Sequence, residues 1–129
     1  MTDTTDTTGD GRYEAGLRVR REVLGDEHVE RALAGAGADA DFQRFLTELA
    51  WGGVWTRDDR LDRRTRSCVT IAVLTALRAE AELALHVAGA RRNGLTDDEI
   101  MEVIMHTAVY AGVPAANAAM GVARRVLDA

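Results

Sequence analysis

Hydrophobic positions recur at helical spacing along almost the whole chain. In the first third, Tyr13, Leu17 and Val23 lie on one side of a helix that ends at Gly25. A short second helix is predicted over residues 26–33. The beginning of the chain therefore predicts two consecutive helices.

The middle of the chain predicts a third helix followed by a charged loop. Residues 35–38 read Gly-Ala-Gly-Ala and predict a flexible connection to a helix that begins near Ala40. The pair Gly52-Gly53 either ends this helix or allows another backbone to approach closely. Residues 57–62 are charged and predict a loop, whose last residue, Asp62, is a candidate N-cap for the next helix.

The second half predicts four more helices. Residues 63–77 are apolar nearly all round, which is typical of a central buried helix. A fifth helix spans residues 80–93 and stops at Gly94, a common residue at helix ends. Residues 96–111 open with a capping box, Thr-Asp-Asp-Glu, and a last helix runs over residues 114–127. The pattern contains no credible strand, so we expect an all-α fold of about six to seven helices.

Composition narrows the class of protein. The 129 residues suit one domain, and we expect residues 11–129 to form a single helical domain after a disordered, Thr- and Asp-rich tail of residues 1–10. A formal net charge of -5 argues against a nucleic-acid partner. No apolar run approaches the roughly 18 residues of a membrane span. A single cysteine, Cys68, and a polar N-terminus without a signal peptide predict a cytoplasmic protein.

His86 is the first candidate for chemistry. It falls between Leu83 and Ala90 on the apolar side of its helix, and Glu82 lies one turn earlier on the same side. A half-buried imidazole with a carboxylate neighbour can donate a proton near neutral pH. On these residues alone, a core histidine that bonds to Glu82 is the more common situation.

A second candidate group consists of Glu48, Trp51 and Trp55. If the helix continues through Gly52-Gly53, the three share one face, and a carboxyl group beside two indoles would be desolvated and suited to act as an acid. The alternative is core packing by the tryptophans with the carboxylate at the rim.

Three further polar residues lie at one-turn spacing, Glu102, His106 and Tyr110. They form either the polar wall of a pocket or an exposed row. Of the arginines between residues 57 and 66, Arg57 is nearest the tryptophans and is our first candidate for binding a carboxylate. The interspersed aspartates favour a solvated face for the others. The three histidines and the cysteine lack metal-ligand spacing, so no metal site is predicted.

Five segments of the sequence carry a family resemblance, and they keep their order and spacing. They are residues 45–57 (FLTELAWGGVWTR), 61–67 (LDRRTRS), 82–87 (ELALHV), 93–96 (NGLT) and 106–116 (HTAVYAGVPAA). Together they resemble the gamma-carboxymuconolactone decarboxylases, within the alkylhydroperoxidase-like superfamily, over about residues 12–128. Thiol enzymes of that superfamily carry Cys-x-x-Cys and a histidine one turn later. The corresponding residues here are Ala79, Glu82 and His86, which excludes two-thiol peroxide chemistry.

The resemblance implies an alkylhydroperoxidase-like helical bundle that forms a homo-oligomer, a trimer or a hexamer. It also implies a cofactor-free decarboxylation of gamma-carboxymuconolactone to beta-ketoadipate enol-lactone, in the protocatechuate branch of aromatic catabolism. The residues that we place in this reaction are His86, Glu82 and Glu48 for proton transfer, and Arg57, Trp51, Trp55, His106 and Tyr110 for binding the small carboxylated lactone.

Two departures from the family pattern leave alternatives open. Arg78-Ala79 stands where the decarboxylases tend to have a glycine-containing turn, and Cys68 stands where an aliphatic residue is usual. One alternative is the same scaffold acting on a different lactone or keto-acid in secondary metabolism. Another is a non-catalytic oligomer that binds a small acid. A thiol peroxidase is a distant third.

Overall fold

The computed structural model describes residues 9–129. Within that range all regular secondary structure is helical, which confirms the all-α class and the predicted number of helices. The elements are α1 (Gly9–Leu24), α2 (Asp26–Ala34), α3 (Ala40–Leu46), a π-helical segment (Thr47–Gly52), α4 (Arg63–Leu77), α5 (Glu80–Arg92), α6 (Asp97–Ala111) and α7 (Val113–Leu127). The described chain forms two compact units, one that ends at Asp62 and one that begins at Arg63. The single domain over residues 11–129 stays a prediction.

The N-terminal boundary differs from the prediction. Helix α1 begins at Gly9, so residues 9 and 10, which we expected in the tail, are helical. The difference arises because a helix can begin before its first apolar residue, here Tyr13, in polar residues that hydrophobic spacing does not mark. The rest of the predicted tail, residues 1–8, lies outside the described residues.

In the first unit, α1 and the π-helical segment pack with their backbones in contact. A β-carbon at Gly16 would lie 2.4 Å from the Thr47 carbonyl oxygen and 2.6 Å from the Gly52 nitrogen. A β-carbon at Gly52 would lie 2.4 Å from the Arg12 carbonyl oxygen. Only glycine allows such an approach. Both expectations for Gly52-Gly53 are therefore confirmed, since the helical segment ends there and another backbone packs against it.

In the second unit, α4, α5, α6 and α7 enclose one apolar core. Its buried members include Ile71, Leu83, Val87, Ala90, Leu95, Ile100, Ile104, Ala119, Val122 and Ala123. The small alanines let the helices approach closely, and they come mainly from α7. This core fixes α5, the helix that carries His86, against its neighbours.

The prediction that α4 is a central buried helix holds for one of its faces only. Its buried residues are Ser67, Ile71 and Thr75, which form one narrow face. Val73 and Leu77 on the other side are 48% and 71% exposed. The sequence of α4 is apolar all round, but its partner helices in the unit cover only one face.

The first turn of α6 is set by the predicted capping box. The Thr96 hydroxyl accepts a hydrogen bond from the Glu99 N–H at 3.1 Å, and the Glu99 carboxylate accepts one from the Thr96 N–H at 2.9 Å. This backbone bond and the ion pair with Arg64 lower the pKa of Glu99. Arg91 donates two hydrogen bonds of 2.8 Å to Asp97 and lowers the pKa of that carboxyl.

Among residues 9–129, no helix is both long and apolar enough to cross a membrane.

Candidate functional site

Helix α5 presents His86 beside its buried face. Leu83, Val87 and Ala90 are buried in the core, and His86, which follows Leu83 by three residues, is half-buried at the edge of that face. Glu82 lies one turn before His86 but is exposed to solvent. The structure therefore supplies the half-buried imidazole that we predicted, with the carboxylate one turn away on the solvent side.

A cleft of about 430 Å³ lies between α4 and α6. Its lining residues are Cys68, Val69 and Ala72 from α4, and Glu102, Val103, His106 and Thr107 from α6. Its volume lies at the lower end of the range usual for small-molecule sites. The predicted row on α6 thus forms one wall of a pocket through Glu102 and His106.

Two of the predicted site residues, Tyr110 and His86, do not line this cleft. Tyr110 is 79% exposed and contacts His106, with 5.2 Å between the ring centroids, but it does not line the cleft. His86 is not among the lining residues either. Cys68, which we expected on a buried helix, is half-buried and faces the cleft, because α4 is covered on one side only.

The two tryptophans contact each other, whereas Glu48 forms an ion pair with Arg44. Trp51 and Trp55 are buried and stacked, with 5.0 Å between their ring centroids. The prediction that Glu48 shares one helical face with both tryptophans required the helix to continue through Gly52-Gly53. Helical structure instead ends at Gly52. The Glu48 carboxylate forms an ion pair of 2.9 Å with Arg44. Proton donation by Glu48 would require this ion pair to open.

Arg57 is exposed in the turn that follows Trp55. Its carbonyl accepts backbone hydrogen bonds from Arg60 and Leu61, which confirms the loop predicted over residues 57–62. In the described part of the chain, no group of three His, Cys, Asp or Glu side chains is placed to hold a metal ion.

Sequence reasoning missed Arg20, the only charged residue among the buried side chains of the described chain. It is 5% exposed and donates to the Thr47 hydroxyl and the Gln43 side-chain oxygen, each at 3.1 Å. Burial lowers the pKa of its guanidinium. A signal was present, since Arg20 lies three residues from both Leu17 and Val23 on the apolar side of α1. A charged residue on such a stripe is more informative than an exposed one.

Comparison with known proteins agrees with the helical architecture. The family model described as "Carboxymuconolactone decarboxylase family" matches residues 40–125. The chain is 52% identical to a 4-carboxymuconolactone decarboxylase of Acinetobacter baylyi over 89% of this chain and 86% of the relative. It is 42% identical to a nitrosuccinic acid decarboxylase of Metarhizium robertsii over 90% of this chain and 81% of the relative. A 4-carboxymuconolactone decarboxylase of Pseudomonas putida matches at 48% identity over 32% of this chain and 88% of the relative.

Proposed function

Since the chain belongs to the carboxymuconolactone decarboxylase family, we propose that it is a carboxy-lyase that converts gamma-carboxymuconolactone to beta-ketoadipate enol-lactone. The observation that carries this proposal is the 52% identity to a 4-carboxymuconolactone decarboxylase over 89% of the chain. The helical scaffold and the half-buried imidazole of His86 on α5 are compatible with it.

The reaction needs no organic cofactor. The bond between the ring carbon and the leaving carboxylate breaks, and its electron pair passes through the conjugated double bond to the lactone carbonyl. The resulting dienolate takes up a proton on ring carbon to give the enol-lactone. The protein must therefore bind the remaining carboxylate, stabilise the oxyanion and deliver one proton.

We assign proton delivery to His86, assisted by Glu82 or Glu48. The position of His86 at the edge of a buried face supports this role, because a half-buried imidazole can donate a proton to a ligand that lies against its open side. For binding, we retain Arg57 at the remaining carboxylate, with Trp51 and Trp55 as an apolar wall. His106 and Tyr110, whose ring centroids lie 5.2 Å apart beside the α4–α6 cleft, bind the lactone ring.

A deuterium experiment tests the reaction. Purified protein is incubated with gamma-carboxymuconolactone in deuterated water, and CO2 release and product labelling are followed. We expect stoichiometric CO2 and one deuteron on ring carbon. Absence of turnover together with binding of the lactone would instead identify the non-catalytic, acid-binding oligomer.

Two histidine variants separate the proton donor from the binding groups. His86→Ala should lower kcat by about 10²–10⁴-fold, the usual contribution of general acid–base catalysis. His106→Ala should act mainly on KM, because this residue is placed in substrate binding. Full turnover by His86→Ala would exclude His86 as the proton donor. A large loss of kcat in His106→Ala would instead assign proton donation to His106.

The similarity to a nitrosuccinic acid decarboxylase favours a second candidate substrate. In both nitrosuccinate and gamma-carboxymuconolactone, the electron pair of the broken carbon–carboxylate bond passes to an acceptor group. The acceptor is the nitro group in nitrosuccinate and the lactone carbonyl in gamma-carboxymuconolactone. Both also keep a second carboxylate. Parallel assays should give the higher kcat/KM for the lactone, and the reverse order would assign this chain to the nitro acid.

We also propose that the protein is a cytoplasmic homo-oligomer, a trimer or a hexamer. Apolar side chains exposed on α4 and α6 support the assembly, because large exposed apolar patches are uncommon on monomers. The main examples are Val69, Val73, Leu77, Met105 and Val109.

A further inference from the structure

Arg20 is a buried cation whose hydrogen-bond partners are neutral. Its guanidinium donates to the Thr47 hydroxyl and to the Gln43 amide oxygen, and its Nε–H is buried and makes no hydrogen bond. An arginine has five N–H donors and stays protonated. Taking such a charge out of water costs several kcal/mol unless an anion compensates it. The arrangement is therefore incomplete without a negative charge.

The described residues of the first unit do not supply that charge. Glu48, one residue after Thr47, is held by Arg44 at 2.9 Å. Among the described residues, no aspartate or glutamate forms an ion pair with Arg20. The other electrostatic influence on this guanidinium comes from Tyr13. The described residues therefore leave the Nε–H of Arg20 without an acceptor and its charge without an anion.

We propose that Arg20 binds a carboxylate of a small ligand, and that for the proposed function this is the acetate arm that remains on the lactone, a role that Arg20 then takes in place of Arg57. The inference rests on the proposed function for the identity of the ligand, but not for the chemistry of the site. A carboxylate beside Nε accepts a charge-assisted hydrogen bond and brings the negative charge that the neutral acceptors Thr47 and Gln43 lack. Arg20 is a binding residue in this scheme and takes no part in proton transfer.

The packing of the elements around Arg20 allows a ligand to reach its guanidinium. Gln43 belongs to α3, and within Ala40–Leu46, all of it described, no residue is buried. Two of its large side chains, Phe42 and Phe45, are exposed. A helix with so little buried surface can move with little loss of packing. Displacing α3 breaks the bond to Gln43 and opens the edge of the guanidinium, where the carboxylate replaces a neutral acceptor.

The π-helical segment adds a second observation at the same place. Thr47, which accepts from Arg20, is its first residue, and the buried Trp51 lies within it. Short π-helical turns occur frequently at functional sites. Trp51 and Trp55 are the two tryptophans of the chain and lie in the same unit as Arg20. Intrinsic fluorescence therefore reports on this part of the protein.

The test uses 2-furylacetate, a stable ring compound with an acetate arm, and its methyl ester as the neutral counterpart. Binding is measured on the whole protein by tryptophan fluorescence and by the shift in Tm. We expect the acid to bind saturably and the ester to bind at least tenfold more weakly. Equal binding of both compounds, or no binding of the acid, overturns the proposal.

Three variants locate the effect. Arg20→Met should weaken binding of 2-furylacetate by about 10- to 100-fold, which corresponds to the loss of hydrogen bonds to a charged group. Its Tm without ligand should equal or exceed that of the wild type, because an uncompensated buried charge has been removed. Arg18→Gln, an exposed arginine two residues away on α1, is the matched control and should bind like the wild type.

Arg20→Lys keeps the charge and decides the matter if Arg20→Met does not fold. Its affinity for 2-furylacetate should fall by about tenfold, because lysine lacks the planar fork. Unchanged affinity in either folded Arg20 variant overturns the proposal. Oligomer dissociation in Arg20→Met, without probe binding to the wild type, would assign the missing carboxylate to a second copy and also overturn it.

The outcomes for the reaction remain separate. If the lactone is not turned over but 2-furylacetate binds through Arg20, the decarboxylase assignment fails and the carboxylate site stands. If the lactone is turned over and Arg20→Met leaves both probe affinity and KM unchanged, the function stands and the Arg20 site fails. When both hold, the KM for the lactone should rise at least tenfold in Arg20→Met.

Discussion

At the scale of single residues, the contact between α1 and the π-helical segment depends on the absence of a side chain. A methyl group at Gly16 would overlap with backbone atoms of Thr47 and Gly52, and backbone cannot move aside as a flexible side chain can. Gly16 and Gly52 therefore set how closely α1 lies against the tryptophan-bearing segment.

Replacing Gly16 with alanine should lower the free energy of unfolding by about 1–3 kcal/mol or more, the range for overpacking in a tight contact. Chemical denaturation measures the change. Gly37→Ala is the control, because a β-carbon there has no neighbour within 4 Å. Equal effects of the two substitutions would show that the close approach does not limit stability.

His28 gives the first unit a dependence on pH. Burial, then the positive charges of Arg20 and Arg31, lower the pKa of this histidine below its ordinary value of 6.5. In the unfolded chain it takes up a proton near pH 6.5, whereas the folded protein resists protonation. The contribution of His28 is therefore fully present above pH 6.5 and is lost as the pH falls towards the lower, folded pKa.

Accordingly, the stability of the wild type should fall between pH 7.5 and pH 5.5 more steeply than that of His28→Gln. Urea unfolding at several pH values measures both slopes. The comparison isolates His28, since the other titrating groups are shared by the two proteins. Parallel slopes would contradict the expected shift.

At the scale of elements, the start of α6 depends on a local motif that also links to its neighbours. Thr96 and Glu99 bond reciprocally, and Glu99 also pairs with Arg64 of α4. Arg91 connects the end of α5 to Asp97 and to the Leu127 carbonyl at the end of α7. Hydrogen bonds and ion pairs around the start of α6 therefore link the four helices of the second unit.

Thr96→Ala should destabilise the protein by about 1 kcal/mol, the usual effect of losing an N-cap side chain. Thr96→Ser keeps the hydroxyl and should stay close to the wild type. Thermal unfolding of the three proteins measures the difference. If serine and alanine behaved alike, the capping hydrogen bond would contribute nothing.

Elements also show where sequence reasoning succeeds and where it stops. The bounds of α4, Arg63 and Leu77, were predicted correctly, and so was the capping box of α6. Both depend on residues within one or two turns of each other. The prediction for α4 that holds on one face only concerned its burial, which depends on how many partner helices cover it. The tryptophan stack depends in turn on a π-helical segment that helical spacing does not reveal.

At the scale of the whole molecule, exposed apolar residues on α4 and α6 predict assembly. Sedimentation should give three or six times the 14.0 kDa subunit mass. Val73→Lys combined with Val109→Lys should lower that mass, because charges would be buried in an apolar contact. Asn117→Lys, at an exposed polar position of α7, should leave it unchanged. A monomeric wild type would refute the proposed oligomer.

The amino-acid sequence was sufficient for the helical class, most helix bounds, the capping box and the family resemblance. These features follow from local rules of spacing, caps and turn residues, or from motifs that lie close together along the chain. Folding contributed what depends on neighbours distant in sequence. Examples are the exposed side of α4, the cleft at His106 and the buried charge of Arg20 with its bonds to Gln43 and Thr47. Periodicity specifies which side of a helix is apolar, whereas burial and charge compensation depend on what packs against that side.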